Sequence, residues 1–271
     1  MFKRPKVMGI VNVTPDSFSD GGKLTDLDMA VARARALIEA GADILDIGGE
    51  STRPGAETVP VDVEMARTVP LISALREQLR DADTEPLISI DTRKPEVAEA
   101  AILAGADIWN DVTALTYDPR SLDMAAQLDC PLILMHIQGN PETMQDDPRY
   151  MEAVTEIIDW LGARIEAAIA AGVQRENITL DPGVGFGKRH EDNLAIFRQL
   201  AEFKTLGQPL LMGASRKSFI GRIDGSRVED RLGGSLATAL WSAAEGADIV
   251  RVHDVRETVQ ALTVWETIAN G

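Results

Sequence analysis

The 271-residue chain carries a formal net charge of −16. Nucleic acids and anionic membranes bind electropositive surfaces, so this charge excludes both as partners and predicts that any anionic ligand meets a local group of cations. The apolar runs are shorter than the roughly 18 residues that a membrane span requires. A single cysteine, Cys130, excludes an internal disulfide and suits a reducing compartment. We therefore expect a cytoplasmic protein.

The length is typical of a single (β/α)8 barrel, and no segment has the composition of a linker, so one domain is expected over residues 1–271. Apolar residues on both sides of Asp46 predict a strand covered on both faces, and Gly41 before it predicts the end of a helix. Similar Gly-Ala-Asp junctions recur at 105–107 and 246–248. They indicate a repeating β/α architecture, although this pattern alone leaves chance recurrence open.

Eight short apolar segments alternate with helical patterns along the chain. This alternation forces a mainly parallel sheet, and eight strands close a barrel. Long polar loops follow the first two strands, at 14–23 and 51–58, and are expected to be mobile. The predicted strands are 7–13, 44–48, 87–91, 108–112, 131–136, 178–181, 209–213 and 249–253.

Helices are predicted between these strands. The helix at 62–79 contains Pro70, which predicts a kink or a division because a proline inside a helix costs about 3 kcal/mol. The other predicted helices are 27–40, 95–105, 121–128, 151–171, 193–207, a helical region from 215, 231–244 and a last helix ending near 269.

Nearly every predicted strand ends on a polar or ionisable residue. In a parallel barrel the carboxyl ends of all strands meet at one mouth, where active sites lie, so we expect these residues to converge on one pocket. In chain order they are Asn12, Asp46, Asp91, Asn110, His136, Asp181, Gly213 with Ser215, and Arg251 with His253.

Three of these polar residues, together with Lys217, suit a flat nitrogenous ring. A carboxylate such as Asp91 or Asp181 accepts two parallel N–H bonds, Asn110 donates and accepts, and Lys217 can donate to a ring carbonyl. A 2-amino-4-oxopyrimidine, as in pterins or guanine, displays the matching pattern. The alternative, that each carboxylate only binds neighbouring loops, is reasonable for any one of them and not for all together.

Phe186 stands between glycines in the segment 183–187, which predicts a tight turn that presents the ring at the mouth; burial of Phe186 in the core is the alternative. The segment lacks the spacing of a phosphate-binding loop. The segment 215–218 places two cations and two hydroxyls at a predicted helix start, where backbone N–H groups attract anions. A solvated basic turn is the alternative there.

Arg53, Arg251 and His253 form a second cationic set. The strands that carry them neighbour strand 1 and Asn12 in a closed barrel, and arginine recognises phosphate oxygens through its fork geometry. This set predicts a phosphate or diphosphate site. No His-x-His or cysteine cluster is present, so a dedicated zinc site is not expected, whereas Mg²⁺ held by phosphate and Asn12 is compatible.

Together these motifs resemble those of the dihydropteroate synthase family of folate synthesis, the target of sulfonamides, and the resemblance covers essentially the whole chain. The motifs that carry it are 12–21, 46–55, 181–183 with 185–188, 215–218 and 251–253.

The resemblance implies a site with three parts. Asp46, Asp91, Asn110, Asp181 and Lys217 would hold the pterin ring, with Arg251 stacked on it. The diphosphate would be bound by Asn12, Thr52, Arg53 and His253 together with Mg²⁺, for which Asn12 is the protein ligand. The p-aminobenzoate would be framed by Thr52, Pro54, Phe186, Lys217 and Ser218.

The reaction implied by the resemblance joins 6-hydroxymethyl-7,8-dihydropterin diphosphate to p-aminobenzoate. Loss of diphosphate would leave a cationic methylene, with Lys217, Arg251 and His253 as catalytic residues and Asp20 stabilising the cation from its loop. The loops after strands 1 and 2 would close over the diphosphate, which predicts ordered binding. The family resemblance also implies a homodimer through the helix at 231–244 and the last helix.

Three other functions remain open at this point. A methyltetrahydrofolate-dependent corrinoid methyltransferase shares the pterin-binding barrel but needs no diphosphate site. A non-catalytic pterin-binding relative would tolerate loss of Asn12, Arg53 or His253. An aldolase that forms a Schiff base through Lys217 is the third alternative.

Overall fold

The chain forms an eight-stranded parallel β-sheet that curls into a (β/α)8 barrel, as predicted, in a computed structural model that describes residues 3–13, 26–53, 55–80, 85–140 and 142–271. The strand order is β6-β5-β4-β3-β2-β1-β8-β7. A parallel bridge between Leu180 and Leu210 joins the two edges and closes the barrel. The strands are β1 (Lys6–Asn12), β2 (Ile44–Gly48), β3 (Leu87–Asp91), β4 (Ile108–Asp111), β5 (Leu132–Met135), β6 (Ile178–Asp181), β7 (Leu211–Met212) and β8 (Ile249–Val252).

Helices surround the barrel. Pro70 does not divide α2 into two helices. The helix runs unbroken from Val61 to Leu79. The helix predicted at 193–207 is instead α6 followed by a 3-10 segment, Leu200–Leu206. The helices of the described residues are α1 (Asp26–Glu39), α2 (Val61–Leu79), α3 (Pro95–Leu103), α4 (Ser121–Leu128), α5 (Ala153–Ala171), α6 (His190–Arg198), α7 (Ser218–Asp224), α8 (Leu232–Ala244) and α9 (Val255–Asn270).

The lower part of the barrel interior is filled by one apolar side chain from nearly every strand. These side chains form a cluster separate from the main core, which lies between the sheet and the helices. This is the layered packing of a barrel centre, where branched side chains of successive strands meet. The cluster consists of Met8, Ile44, Leu87, Ile108, Ile133, Leu211 and Ile249.

The polar residues of the mouth continue the same inner face. Side chains alternate between the two faces of a strand, so Asp46 lies two residues above Ile44 on the interior side, and Arg251 two above Ile249. The intervening Leu45 and Val250 pack outward in the main core. The period of two therefore sets an apolar layer at the bottom of the barrel and an ionisable layer at the top.

Of the two predicted loops, only the one after β2 lies largely within the described residues. The predicted loop at 14–23, with Asp20, lies outside the described residues, and so does Pro54. The other residues of the loop after β2 are described, and Arg53 is exposed there. Within the described ranges, every helix is too short or too polar to cross a bilayer.

Candidate functional site

The carboxyl ends of β2, β3, β4 and β8 meet in an ionic cluster. Arg251 donates through Nε to Asp46 Oδ2 at 2.5 Å and through Nη2 to Asp91 Oδ2 at 2.7 Å. Asn110 donates through Nδ2 to the two oxygens of Asp46 at 3.4 and 3.2 Å. Asp46 is fully buried, whereas 21% of the Arg251 side chain is exposed. The guanidinium is therefore held in one orientation by two carboxylates while part of it stays accessible.

Asp91 keeps one oxygen available for a ligand. Among the described residues, its buried Oδ1 has no hydrogen-bond partner. A buried acceptor left unpaired costs about 1–3 kcal/mol. Burial also raises the pKa of Asp91 to about 7, against the opposing effect of Arg251. A ligand N–H group at Oδ1 would remove the cost and favour the ionised carboxylate.

Asp181, at the end of β6, borders the same space from the other side of the barrel. Its Oδ1 accepts the N–H of Gly183 at 2.7 Å. A Cβ built on Gly213, just after β7, would lie 3.7 Å from Asp181 Oδ2 and 3.9 Å from Arg251 Cβ. Burial raises the pKa of Asp181, and the Gly183 N–H and Lys217 oppose this rise. Gly213 thus leaves open the space that Asp181 and Arg251 flank.

Lys217 reaches this space from the residue before α7. Its Nζ donates to the Val184 carbonyl and lies 4.0 Å from the centroid of the Phe186 ring. Burial lowers the pKa of Lys217 to about 7, although Asp181 and Asp91 raise it through their charges. The charges of Asp181 and Asp91 both act on Lys217. Asp91 accepts from Arg251, and Gly213 lies beside both Asp181 and Arg251, so the ionisable groups border the same space.

The turn after β6 presents Phe186 as predicted. The Phe186 N–H donates to the Gly183 carbonyl at 3.0 Å, and Gly183, Gly185 and Gly187 all have positive φ. A Cβ on Gly185 would lie 2.9 Å from Lys217 Cδ, so only glycine lets the lysine pass. The Phe186 ring is half-buried and packs against a small apolar cluster of Val112, Met135, Ile137 and Met144.

His253 lies directly after β8, where Ser215 orients it. The Ser215 Oγ accepts the backbone N–H of His253 at 3.2 Å and lies 3.0 Å from Nδ1 of the ring. Burial lowers the pKa of His253 to about 4, and the charges of Arg251, Arg216 and Arg53 add to this effect. The imidazole is therefore neutral near pH 7, and Arg53 is close enough to influence it.

Three further predicted ligand residues lie at the rim. Asn12 ends β1 and pairs in register with Gly48 of β2, Thr52 follows β2, and Ser218 begins α7. Asn12 and Ser218 are exposed and Thr52 is half-buried. In the described part of the chain, no group of three or more His, Cys, Asp or Glu side chains could hold a metal. One exposed amide oxygen fits Mg²⁺, because this ion keeps few protein ligands and takes its other oxygens from phosphate and water.

One grouping made from strand order is wrong. Arg251 was placed with Arg53 and His253 in a phosphate-binding set, but its guanidinium donates to Asp46 and Asp91. The side-chain alternation of β8 puts Arg251 on the inner face, within hydrogen-bond distance of both carboxylates. Arg251 thus lies in the ionic cluster with Asp46 and Asp91.

Sequence reasoning missed several side chains that orient the site. Lys188 is buried and donates to the carbonyls of Phe186 and His136, at 3.0 and 3.3 Å, and its Nζ lies 2.9 Å from His136 Nδ1. His136, predicted as a mouth residue, is itself buried among these contacts, and burial lowers its pKa to about 2. The only sequence signal for Lys188 was a lysine directly after the glycine turn.

The fold and the mouth match known proteins over nearly the full chain. The sequence matches the family described as pterin binding enzyme over residues 8–253. A dihydropteroate synthase of Synechocystis sp. is 49% identical over 267 residues, which cover 98% of this chain and 91% of the relative.

Two solved structures of Xanthomonas albilineans dihydropteroate synthase are also similar. The complex with 4-aminobenzoic acid has a TM-score of 0.92 and 48% identity, covering 99% of this chain and 94% of that one. The complex with 7,8-dihydropteroate has a TM-score of 0.89 and 45% identity, covering 100% and 96%.

The barrel with its ionic mouth and the family match over residues 8–253 define the class as that of the pterin-binding enzymes. The identities over nearly the whole length narrow the class further. The chain belongs to the dihydropteroate synthase family, whose members are transferases.

Proposed function

We propose that the chain condenses 6-hydroxymethyl-7,8-dihydropterin diphosphate with p-aminobenzoate to give 7,8-dihydropteroate and diphosphate. The observation that carries the proposal is the convergence of Asp91, Asp181 and Lys217 around one mouth, next to the fixed guanidinium of Arg251. The related Xanthomonas structures with 4-aminobenzoic acid and with 7,8-dihydropteroate support the choice of substrate and product.

The pterin ring would bind at the ionic cluster. Asp181 and the unpaired Oδ1 of Asp91 would accept N–H bonds from the amino-pyrimidine edge, and Asn110 and Lys217 would bind the remaining ring atoms. Asp46 has no exposed surface. Its part in the proposal is therefore to orient Arg251 and Asn110 rather than to touch the ring, while Arg251 packs its plane against the ring.

The diphosphate would extend toward the rim, where Asn12, Thr52, Arg53 and His253 lie. Arg53 supplies a charged fork, and neutral His253 supplies Nε2–H when the Ser215 hydroxyl donates to Nδ1. A Mg²⁺ ion held by Asn12 and substrate oxygens would neutralise charge on the leaving diphosphate. Both Arg53 and His253 would stabilise the same negative charge as it develops.

The reaction would begin with cleavage of the methylene C–O bond, whose electron pair leaves with diphosphate. The ring-conjugated methylene is then cationic, and the amine of p-aminobenzoate forms the new C–N bond and releases a proton. Phe186, Lys217, Thr52 and Ser218 would frame this amine's ring. Asp20 and Pro54, outside the described residues, keep their predicted roles beside the cation and the second substrate.

The proposal is tested by diphosphate release from the pterin substrate, with and without p-aminobenzoate. Release that depends on Asp181 and Lys217, and product formation when p-aminobenzoate is added, are expected; Asp181→Ala and Lys217→Ala should each abolish both. Binding of p-aminobenzoate should need diphosphate at the rim. Undiminished p-aminobenzoate binding in its absence contradicts ordered binding.

The other candidate functions account for fewer of the residues. Corrinoid methyl transfer has no use for a cationic rim, and a non-catalytic pterin-binding relative would not need Asn12, Arg53 and His253 together. Borohydride reduction in the presence of a carbonyl substrate would label Lys217 if it formed a Schiff base, and we expect no such labelling.

We further propose a cytoplasmic homodimer. Three apolar side chains on the last two helices are more than half exposed: Trp241 on α8 (51%), and Val264 (54%) and Ile268 (77%) on α9. Contiguous exposed apolar residues often mark subunit interfaces. Sedimentation should give a dimer for the native chain and a monomer for Ile268→Glu, whereas a native monomer would contradict this part.

A further inference from the structure

The turn that presents Phe186, residues 183–187, is held from outside the barrel as well as from the mouth. Lys217 donates to its Val184 carbonyl from the mouth side. On the other side the Gly185 carbonyl accepts from Gln145 Nε2 at 2.8 Å, and the Phe186 carbonyl accepts from Lys188 Nζ at 3.0 Å. Each of these acceptors is thus bound by a different side chain.

Tyr150 fixes the end of the turn. Its hydroxyl donates to the Gly187 carbonyl at 2.8 Å, and the residue is 9% exposed. Gly187 also sits directly against the segment after β5, because a Cβ there would lie 2.3 Å from the Gln138 carbonyl oxygen. The long loop after β5, residues 137–150, therefore packs against the turn and supplies two of its donors.

Lys188 acts as a positioning residue because its donors are already used. Burial lowers the pKa of Lys188 well below its ordinary value, and a lysine nitrogen has at most three N–H donors. Its three close acceptors are the Phe186 carbonyl, the His136 carbonyl and, at 2.9 Å, His136 Nδ1. The side chain is buried beside the strand end of β5 and has no donor left for a substrate. Lys188 therefore connects the turn, through Phe186, to His136 directly after β5.

We propose that Lys188 and Tyr150 are specificity-determining positioning residues, which set the affinity for p-aminobenzoate and for sulfonamides by holding the turn that carries Phe186. The inference rests on the proposed function, in which Phe186 frames the second substrate. It adds that the loop after β5 acts mainly on the second substrate, since Lys188 and Tyr150 bind the part of the turn that carries Phe186, whereas Asp181 and Lys217 bind its start at Gly183 and Val184.

The test compares Lys188→Met and Tyr150→Phe with the native chain. Losing the Lys188 donor, which binds two carbonyls, is expected to raise KM for p-aminobenzoate about 10- to 100-fold, and losing the Tyr150 hydroxyl, which binds one, about 2- to 10-fold. The inhibition constant of a sulfonamide should rise in parallel. KM for the pterin diphosphate should rise less than KM for p-aminobenzoate, because Asp181 and Lys217 bind the start of the turn rather than the part that Lys188 and Tyr150 hold.

Two control variants remove the same chemical groups, a tyrosine hydroxyl and a lysine amine, at other positions. Tyr117→Phe removes the hydroxyl of the chain's other tyrosine, and Lys204→Met removes an exposed ammonium; both should behave as native. An unchanged KM for p-aminobenzoate in both test variants overturns the proposal, and so does an equal rise in KM for both substrates. If Lys188→Met fails to fold, Tyr150→Phe decides the matter alone.

Hydrogen exchange separates this inference from the proposed function. The peptide that spans the turn should exchange faster in Lys188→Met and Tyr150→Phe than in the native chain, whether or not product forms. A native chain that makes no dihydropteroate refutes the synthase activity. Unchanged exchange in both variants refutes the positioning role.

Discussion

The two ends of the mouth are built differently. At the end where we propose that the pterin ring binds, called the ring-binding end, Asp46, Asp91 and Asn110 are at most 7% exposed and are joined by hydrogen bonds through Arg251 and Asp46. At the rim, Asn12 and Arg53 are exposed. The ring-binding end rests on strands, whereas Arg53 lies on a loop.

This difference assigns the two ends different tasks. Buried charged side chains that hydrogen-bond to one another are preorganised. Binding a rigid ring therefore does not cost the entropy of ordering them. The attraction between an exposed loop cation and an anion is weak in water. It becomes stronger only when the bound ligand and the closed loop exclude water. The pterin ring should therefore bind first, and the diphosphate should then draw the rim into place.

The largest effect is expected at the buried end. Asp181→Asn keeps the shape but removes the charged acceptor of the ring N–H groups, so we expect kcat/KM for the pterin substrate to fall at least about 100-fold, since each hydrogen bond to a charged group contributes about 1.5–3 kcal/mol and the ring edge offers two. Calorimetry with the pterin alone should show the same loss of binding. Near-native binding would mean that Asp181 does not contact the ring.

A smaller effect, confined to the charged part of the substrate, is expected at the rim. Arg53→Met should lower kcat/KM for the pterin diphosphate about 10- to 100-fold, because a charge-assisted contact to phosphate is lost. Binding of the unphosphorylated 6-hydroxymethyl pterin should be unchanged. Arg33→Met, at an exposed arginine of α1, serves as the matched control. Weaker binding of the unphosphorylated pterin by Arg53→Met would contradict the separate roles of the two ends.

The pH dependence of kcat/KM should reflect the titration of Asp91 and Lys217 in the mouth. The pKa of Asp91 is raised to about 7, so its charge is gained as pH rises, and the pKa of Lys217 is lowered to about 7, so its charge is lost over the same range. We expect kcat/KM for the pterin substrate to peak near pH 7 and to fall on both sides. Lys217→Arg, which stays charged, should keep some activity and lose the alkaline fall. An alkaline fall that persists in this variant would assign it to another group.

The smallest effect is expected from salt. Exposed charges are screened within a Debye length of about 8 Å at physiological ionic strength, whereas buried charges are screened much less. Raising ionic strength at constant Mg²⁺ should therefore increase KM for the pterin diphosphate a few-fold. Affinity for the unphosphorylated pterin should not follow. Equal salt dependence of both ligands would place exposed charges at the ring-binding end as well.

Much of the barrel could be predicted because its signals are local. Strands covered on both faces need continuous apolar runs such as Leu132–Met135, and helix ends need glycine, as at Gly172, which takes a left-handed conformation. Pro70 shows the limit of local reasoning. The neighbouring turns of α2 carry the helix past it, with Leu71, Ile72 and Leu75 fully buried against the core.

The sequence by itself determined the barrel and the set of residues at its mouth, because strand polarity and a side-chain period of two follow from backbone geometry. Only the tertiary structure decided which of those residues bind one another. It paired Arg251 with Asp46 and Asp91 rather than with Arg53, and it joined Lys188 to Phe186 and His136. Such pairings depend on distances between side chains from separate strands and loops, and no pattern along the chain contains those distances.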